Sequence, residues 1–188
     1  MDDFVNDLEN WMGSMPTTLR TTPIINLAIP GSHDSMSYGI KNGASVAPDA
    51  RPIVNSIYSF IPCIVRRWAR TQYSEPTKQL LNGVRYFDLR ISLQLHDNKF
   101  YFVHGLFCDE IHGPLGEIKR FLDTHPSEFV IFDFQHFYEF ADKDYAVLAD
   151  KINEIFGNKI YGPSDGDLKN VTLDNANGKQ VSNFYNNL

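Results

Sequence analysis

Five residues carry chemistry that their types and spacing bring together: His33, Asp34, Asp88, Arg90 and His104. Two imidazoles can divide general-base and general-acid work near neutral pH, and an arginine between them can neutralise a phosphate through parallel N–H donors. Asp34 and Asp88 can hold the arginine or a histidine by hydrogen bonding, which fixes position and tautomer. This set suits phosphodiester chemistry. The plainer reading is two ordinary loop histidines and an ion pair, because Asp88 and Arg90 are two apart and leave the same face of a strand. Against it stands repetition, since three successive predicted strand ends are loaded alike.

The elements that must position these residues follow from hydrophobic pattern. The apolar run Pro23 to Ile29 reads as a buried strand of a mostly parallel sheet that empties through Pro30-Gly31 into Ser32-His33-Asp34. A short helix ending at Asn82-Gly83 leads into a second strand, Val84 to Ile91, which carries Asp88 and Arg90. A third strand, Phe100 to Val103, again ends in histidine and glycine, His104-Gly105. The fourth, Glu128 to Phe137, is bulky nearly throughout, with Asp133 and Gln135 as polar exceptions on one face. Helical spacing predicts helices over Asp2 to Met12, after Gly113-Pro114 as far as His125-Pro126, and from Tyr145 to Phe156. Strands and helices largely alternate, which points to a parallel α/β architecture with its chemistry at the carboxyl ends of the strands.

Three stretches lack such a simple reading. Ser37 to Pro52 is Gly-, Ser-, Ala- and Pro-rich without period and predicts a long surface excursion. Ile53 to Thr71 carries Ile57, Phe60, Ile61, Ile64, Val65 and Trp68 among Arg66, Arg67 and Arg70, with Pro62 inside. It reads either as a kinked helix with solvated arginines or as a segment that touches an anionic membrane surface. Beyond Gly162 the chain is polar and rich in Asn and Gly, with short apolar hints at Val171 to Leu173 and Val181 to Tyr185.

Composition bounds the function. At 188 residues and 43% hydrophobic, the chain predicts one domain spanning 1–188. A net charge of −6 argues against nucleic acid. The acidic start has no apolar targeting segment, and no run of about eighteen apolar residues occurs, so a cytoplasmic location with peripheral membrane contact is expected. Cys63 and Cys108 lack metal-ligand spacing and read as free thiols. His96, His112, His125 and His136 sit at turns or helix ends without companions, and Asp109, Glu110 and His112 are too close in sequence to build a metal site. No metal and no cofactor are expected.

The stretches PGSHDS, GVRYFDLR, FYFVHGLF and EFVIFDFQHFY, in that order, resemble the X-domain of phosphatidylinositol-specific phospholipase C, from about Thr21 to about Tyr161. The resemblance implies a TIM-barrel-like fold. Such barrels typically need about 250 residues, so the chain covers only about the first half of one, as a truncated isoform or incomplete gene model would. It implies cleavage of the bond between diacylglycerol and an inositol phosphate, with phosphatidylinositol or a related inositol phospholipid as partner at a transient membrane surface. By position, His33 resembles the base that takes the inositol 2-hydroxyl proton, and His104 the acid that protonates the departing glycerol oxygen. Asp34 resembles the residue assisting that acid, and Asp88 and Arg90 the Asp-x-Arg pair beside the phosphate. Calcium-dependent relatives have two acidic residues where this chain has Asp88 and Arg90, and an acidic ligand where it has Gln135. A calcium-independent reaction is therefore expected, with Gln135 and Arg90 binding substrate. The aspartate that orients the base in bacterial relatives lies on a later strand that this chain lacks, so His33 is expected to want a partner. The rival expectation is a catalytically impaired inositol-lipid-binding or regulatory fragment. A glycerophosphodiester phosphodiesterase is disfavoured, because its Glu-rich metal-binding pattern is not found.

Overall fold

The computed structural model describes residues 7–176 and 178–185. Its centre is the strand β2 (Tyr86–Gln94), in which successive side chains alternate between two different environments. Phe87, Leu89 and Ile91 face the helices and join Phe132 and Phe134 in the main core, whereas Tyr86, Asp88 and Arg90 face the other way. One strand thus serves packing with its odd positions and chemistry with its even ones.

Around β2 stand β1 (Gly31–Ser32), β3 (Lys99–His104), β4 (Leu106–Glu110), β5 (Val130–Tyr138), β6 (Ile160–Tyr161) and β7 (Val181–Tyr185). The strand order is β4-β3-β2-β5-β7-β6, with β1 paired to the start of β2. β1, β5, β7 and β6 run parallel within this array, while β2, β3 and β4 form an antiparallel meander. The helices α5 (His112–Thr124) and α6 (Asp142–Phe156) cover one face, burying Leu115, Ile118 and Leu122 from the first and Leu148, Ile152 and Phe156 from the second. Shorter helices α1 (Thr17–Arg20), α2 (Pro52–Tyr58), α3 (Pro62–Ala69) and α4 (Pro76–Leu81) surround the rest. Gly83, at φ +92°, supplies the left-handed residue that ends α4 and turns the chain into β2, as expected. Among the described residues no helix is long and apolar enough to cross a membrane.

A second polar feature clamps the opposite end of the sheet. Arg85 is fully buried and pairs with Glu128 at 2.8 Å, just before β2 and β5 respectively. Its remaining donors reach the carbonyls of Leu80, Val84 and Glu9, and Glu128 accepts the N–H groups of Met12 and Gly13. Burial lowers the Arg85 pKa, and the charge and hydrogen bond of Glu128 oppose that shift.

Several expectations are corrected. The run Pro23 to Ile29 is not a strand: Ile24–Asn26 form a 3₁₀ turn, only Ile24 is buried, and Ile25 is exposed. These side chains line the inner face of the sheet, where Leu27 and Ile29 border an apolar cleft of about 420 Å³ with Tyr86 and Ile131. The expected helix over Asp2 to Met12 is replaced in its described part, from Asp7, by turns, and Phe4 and Val5 lie outside the described residues. Trp11 nonetheless packs as structure, donating its Nε1–H to the Gly83 carbonyl, and Met12 is buried. The surface excursion is partly interior, since Ile40 and Ala47 are buried. The kinked helix is two helices, broken before Pro62 because proline cannot donate its backbone N–H. β4 has no counterpart among the four predicted strands, and the sheet is mixed where a mostly parallel one is expected.

Candidate active site

The turn Ser32-His33-Asp34-Ser35 is laced to β2 by backbone. Arg85 and Tyr86 donate to the Pro30 carbonyl, and Ser35 N–H donates to the Asp88 carbonyl at 3.1 Å. Asp34 N–H donates to Asp88 Oδ2 at 3.2 Å. Asp34 adopts φ +48°, a left-handed conformation that its short polar side chain tolerates better than most. That turn tucks the Asp34 carboxylate inward, where it is buried, and leaves the His33 side chain 69% exposed.

Asp34 then becomes the hub. Its Oδ2 lies 3.2 Å from His33 Nε2 and 3.1 Å from His104 Nε2, while Arg90 Nη2 lies 3.1 Å from its Oδ1. Asp88 Oδ2 lies 2.5 Å from His33 Nδ1. All five residues expected at the site therefore converge. Where His33 is expected to want an orienting partner, the Asp88 carboxylate stands at its Nδ1 and the Asp34 carboxylate at its Nε2.

His104 reaches this hub by a route not read from the sequence. β3 runs antiparallel to β2, so its carboxyl end returns to the middle of β2 and does not finish at a shared rim. The His104 Nδ1 lies 2.7 Å from the carbonyl of Ala69, the last residue of α3. A carbonyl only accepts, so Nδ1 carries a proton and Nε2 is the nitrogen turned to the site. The following Gly105, at φ +67°, donates its N–H to Asp49 Oδ2 at 2.8 Å, so the excursion pins the turn behind the histidine. Neither Ala69 nor Asp49 gave a sequence signal. The backbone contribution of Ala69 is independent of side chain, and Asp49 sits in an aperiodic stretch.

A β-bulge completes the floor. The pairing of β2 with β5 slips between Leu89 and Arg90, leaving Gln135 as the extra residue opposite the Asp88-x-Arg90 pair. Gln135 donates from Nε2 to Asp133 Oδ2 at 2.8 Å, and the Tyr86 hydroxyl donates to the same oxygen. Burial, then the Asp133 carboxylate, push the Tyr86 phenol upward, so it remains a donor. The Gln135 carbonyl oxygen is thereby left to accept from a ligand. Gln135, Asp88, Tyr86 and His33 line a cleft of about 270 Å³. Among the described residues, Asp88 Oδ1 and Arg90 Nε are buried without a hydrogen-bond partner, and Asp34 Oδ1 has only the Arg90 ion pair.

Ligand atoms of His33, Asp34 and Asp88 lie within 4.8 Å of one another and form the candidate cation cluster found among the described residues. They fit calcium poorly. Calcium takes six to eight oxygen ligands, whereas this set offers one nitrogen and two carboxylates with a guanidinium against one of them. The Asp109, Glu110 and His112 group is dispersed into separate pairs, Asp109 with Lys41 and His112 with Glu110.

No family model matches the chain. It is 40% identical over 155 residues to human PI-PLC X domain-containing protein 2, a match covering 80% of this chain and 51% of that protein. It is likewise 40% identical over 159 residues to human PI-PLC X domain-containing protein 3, covering 81% and 50%. The chain spans about half the length of the curated relatives it matches. Its fold is that of the phosphatidylinositol-specific phospholipase C of Staphylococcus aureus, at TM-score 0.70 and 24% identity over 98% of this chain and 55% of that one. The Listeria monocytogenes phosphatidylinositol-specific phospholipase C is similar at TM-score 0.64, over 96% and 57%. Over about 80% of its length this TIM-barrel-like α/β chain is similar to the PI-PLC X domain-containing proteins.

Proposed function

We propose that the chain carries the phosphodiester site of a calcium-independent phosphatidylinositol phospholipase C, acting on phosphatidylinositol or a related inositol phospholipid at a membrane surface. The observation that carries this reading is one carboxylate, Asp34, flanked at 3.2 and 3.1 Å by the Nε2 atoms of two histidines and approached by Arg90. A phosphate entering there meets a base, an acid and a fixed cation.

In the proposed reaction His33 Nε2 takes the proton of the inositol 2-hydroxyl, with Asp88 steadying the imidazole from Nδ1. The freed oxygen forms a bond to phosphorus, and the bond from phosphorus to the glycerol oxygen breaks. That oxygen leaves as diacylglycerol with the proton from His104 Nε2, whose Nδ1 stays anchored on Ala69. Arg90 stabilises charge growing on the phosphoryl oxygens, the part played by calcium in metal-dependent relatives. Gln135 accepts from an inositol hydroxyl. The product is a cyclic inositol phosphate, open to later hydrolysis by water.

The rival reading, an inositol-lipid-binding or regulatory fragment without turnover, is favoured by the open apolar cleft of about 420 Å³ on the inner face. Incubating the purified chain with phosphatidylinositol, with and without chelator, separates the two, with His33→Ala as control. The catalytic reading expects product that survives chelation and disappears in the variant. Binding without product overturns it, and a strict calcium requirement overturns the role given to Arg90.

A further inference from the structure

His33 is the most exposed of the five site residues, with 69% of its side chain open, so little packing holds the imidazole. Its position is set by the backbone of the turn Ser32-His33-Asp34-Ser35, and that turn contains a left-handed residue, Asp34 at φ +48°. A non-glycine residue in that conformation persists only where its surroundings over-determine it. Part of that hold comes from a side chain outside the site, Gln79 of α4.

Gln79 is buried, and its amide spans both ends of the turn. Its Nε2 donates to the Ser35 carbonyl at 2.9 Å and to the Ser74 carbonyl at 2.8 Å, while its Oε1 accepts from the Ser32 hydroxyl at 2.6 Å. Carbonyls only accept, so both amide protons are committed and the orientation of the amide is fixed. Ser35 closes the ring by donating its own hydroxyl to the Ser32 carbonyl at 2.7 Å. The other outside grip, Gln72 Nε2 on the His33 carbonyl, is exposed, where water can take its place. Helix α4 does not depend on Gln79 for its own seat. Leu80 is fully buried, and Thr77 donates its N–H and its hydroxyl to Glu117 of α5.

We infer that Gln79 is a positioning residue for the base, one that sets His33 and Asp34 by holding Ser32 and Ser35 on either side of them. The inference rests on the proposed role of His33 and adds a residue that touches no substrate. Without the amide the turn relaxes and the imidazole strays from the attacking hydroxyl, while Arg90 and Gln135, which receive the substrate, stay in place. The effect therefore falls on kcat and spares KM.

Gln79→Met keeps the length and burial of the side chain and removes all three hydrogen bonds. Its kcat on phosphatidylinositol should fall about 10–100-fold, with KM within about twofold of the parent. The loss should persist on a substrate with an acidic phenol as leaving group, which still needs the base. Ser32→Ala, which removes one hydroxyl, should lose about 2–10-fold in kcat and carries the test where Gln79→Met does not fold. A readout without turnover is the ¹H–¹³C NMR signal of the His33 Cε1–H, assigned by its absence from His33→Ala. In both variants it should move toward that of a solvated imidazole, while the His104 signal keeps its place. Folded variants with the parent's kcat, an unmoved His33 signal, a loss carried by KM, or activity that returns with the phenol overturn the inference. A parent chain without turnover whose His33 signal still moves in the variants would instead overturn the catalytic reading alone.

Discussion

His33 and His104 sit at similar distances from Asp34, yet their other nitrogens face different partners: a carboxylate at His33 and a backbone carbonyl at His104. The negative partner supports a ring that gains a proton, and the neutral one suits a ring that gives its proton away. Replacing either histidine with alanine should lower cleavage of phosphatidylinositol by about 10²–10⁴-fold, measured as diacylglycerol release. The roles are separable with a substrate whose leaving group is an acidic phenol, which needs no proton to depart. Activity should then return in His104→Ala and stay lost in His33→Ala, and rescue of His33→Ala would reverse the assignment. Arg90→Lys keeps the charge but loses the planar pair of donors, and should cost about 10²–10³-fold in kcat without gaining any dependence on calcium. The five residues were legible because their chemistry is rare, although two of the three strand ends that singled them out differ from the pattern: Pro23 to Ile29 is no strand, and β3 runs antiparallel to β2. Tyr86 and Asp133 were not given roles, because their importance lies in a hydrogen bond to Gln135 that only the bulge in β5 creates.

At the scale of elements, β2 carries two polar systems separated by a few residues, the Arg85–Glu128 clamp and the Asp88-x-Arg90 pair. The clamp is completely withdrawn from water and its partners are otherwise satisfied, so losing one member strands a buried charge. Glu128→Ala should destabilise the fold by about 3–5 kcal/mol, seen as a lowered midpoint in urea, with the m-value unchanged. Gly39 offers a second test. A Cβ there would stand 2.9 Å from the Asp109 backbone nitrogen, a contact that backbone cannot readily relieve, so Gly39→Ala should cost about 1–3 kcal/mol by the same measurement. Strands β2, β3 and β5 and helices α5 and α6 were readable from period and punctuation, with boundaries shifted by a few residues. The apolar run before Pro30 was misread because continuous hydrophobicity marks any buried or cleft-lining segment. Its two-residue strand, Gly31–Ser32, has too little side chain to announce itself. β4 was hidden by its acidic end, Asp109-Glu110, which the edge of a sheet tolerates.

For the whole molecule, the two cysteines report directly on the fold. Cys63 is exposed on α3, whereas Cys108 is buried in β4 and burial pushes its thiol far upward. A thiol reagent at neutral pH should therefore modify one cysteine in the native chain and two after denaturation. Two rapid modifications in native buffer would contradict the placement of β4 in the core. The sheet also fixes what the chain brings together without the remaining length of its relatives: both histidines, both aspartates and the arginine of the candidate site. That convergence lets the proposed cleavage be tested on this chain, most directly by ³¹P NMR of phosphatidylinositol vesicles incubated with it in chelator. The account predicts a cyclic inositol phosphate as the first product, absent with His33→Ala. An acyclic phosphate appearing first, or product formed only when calcium is restored, would contradict it.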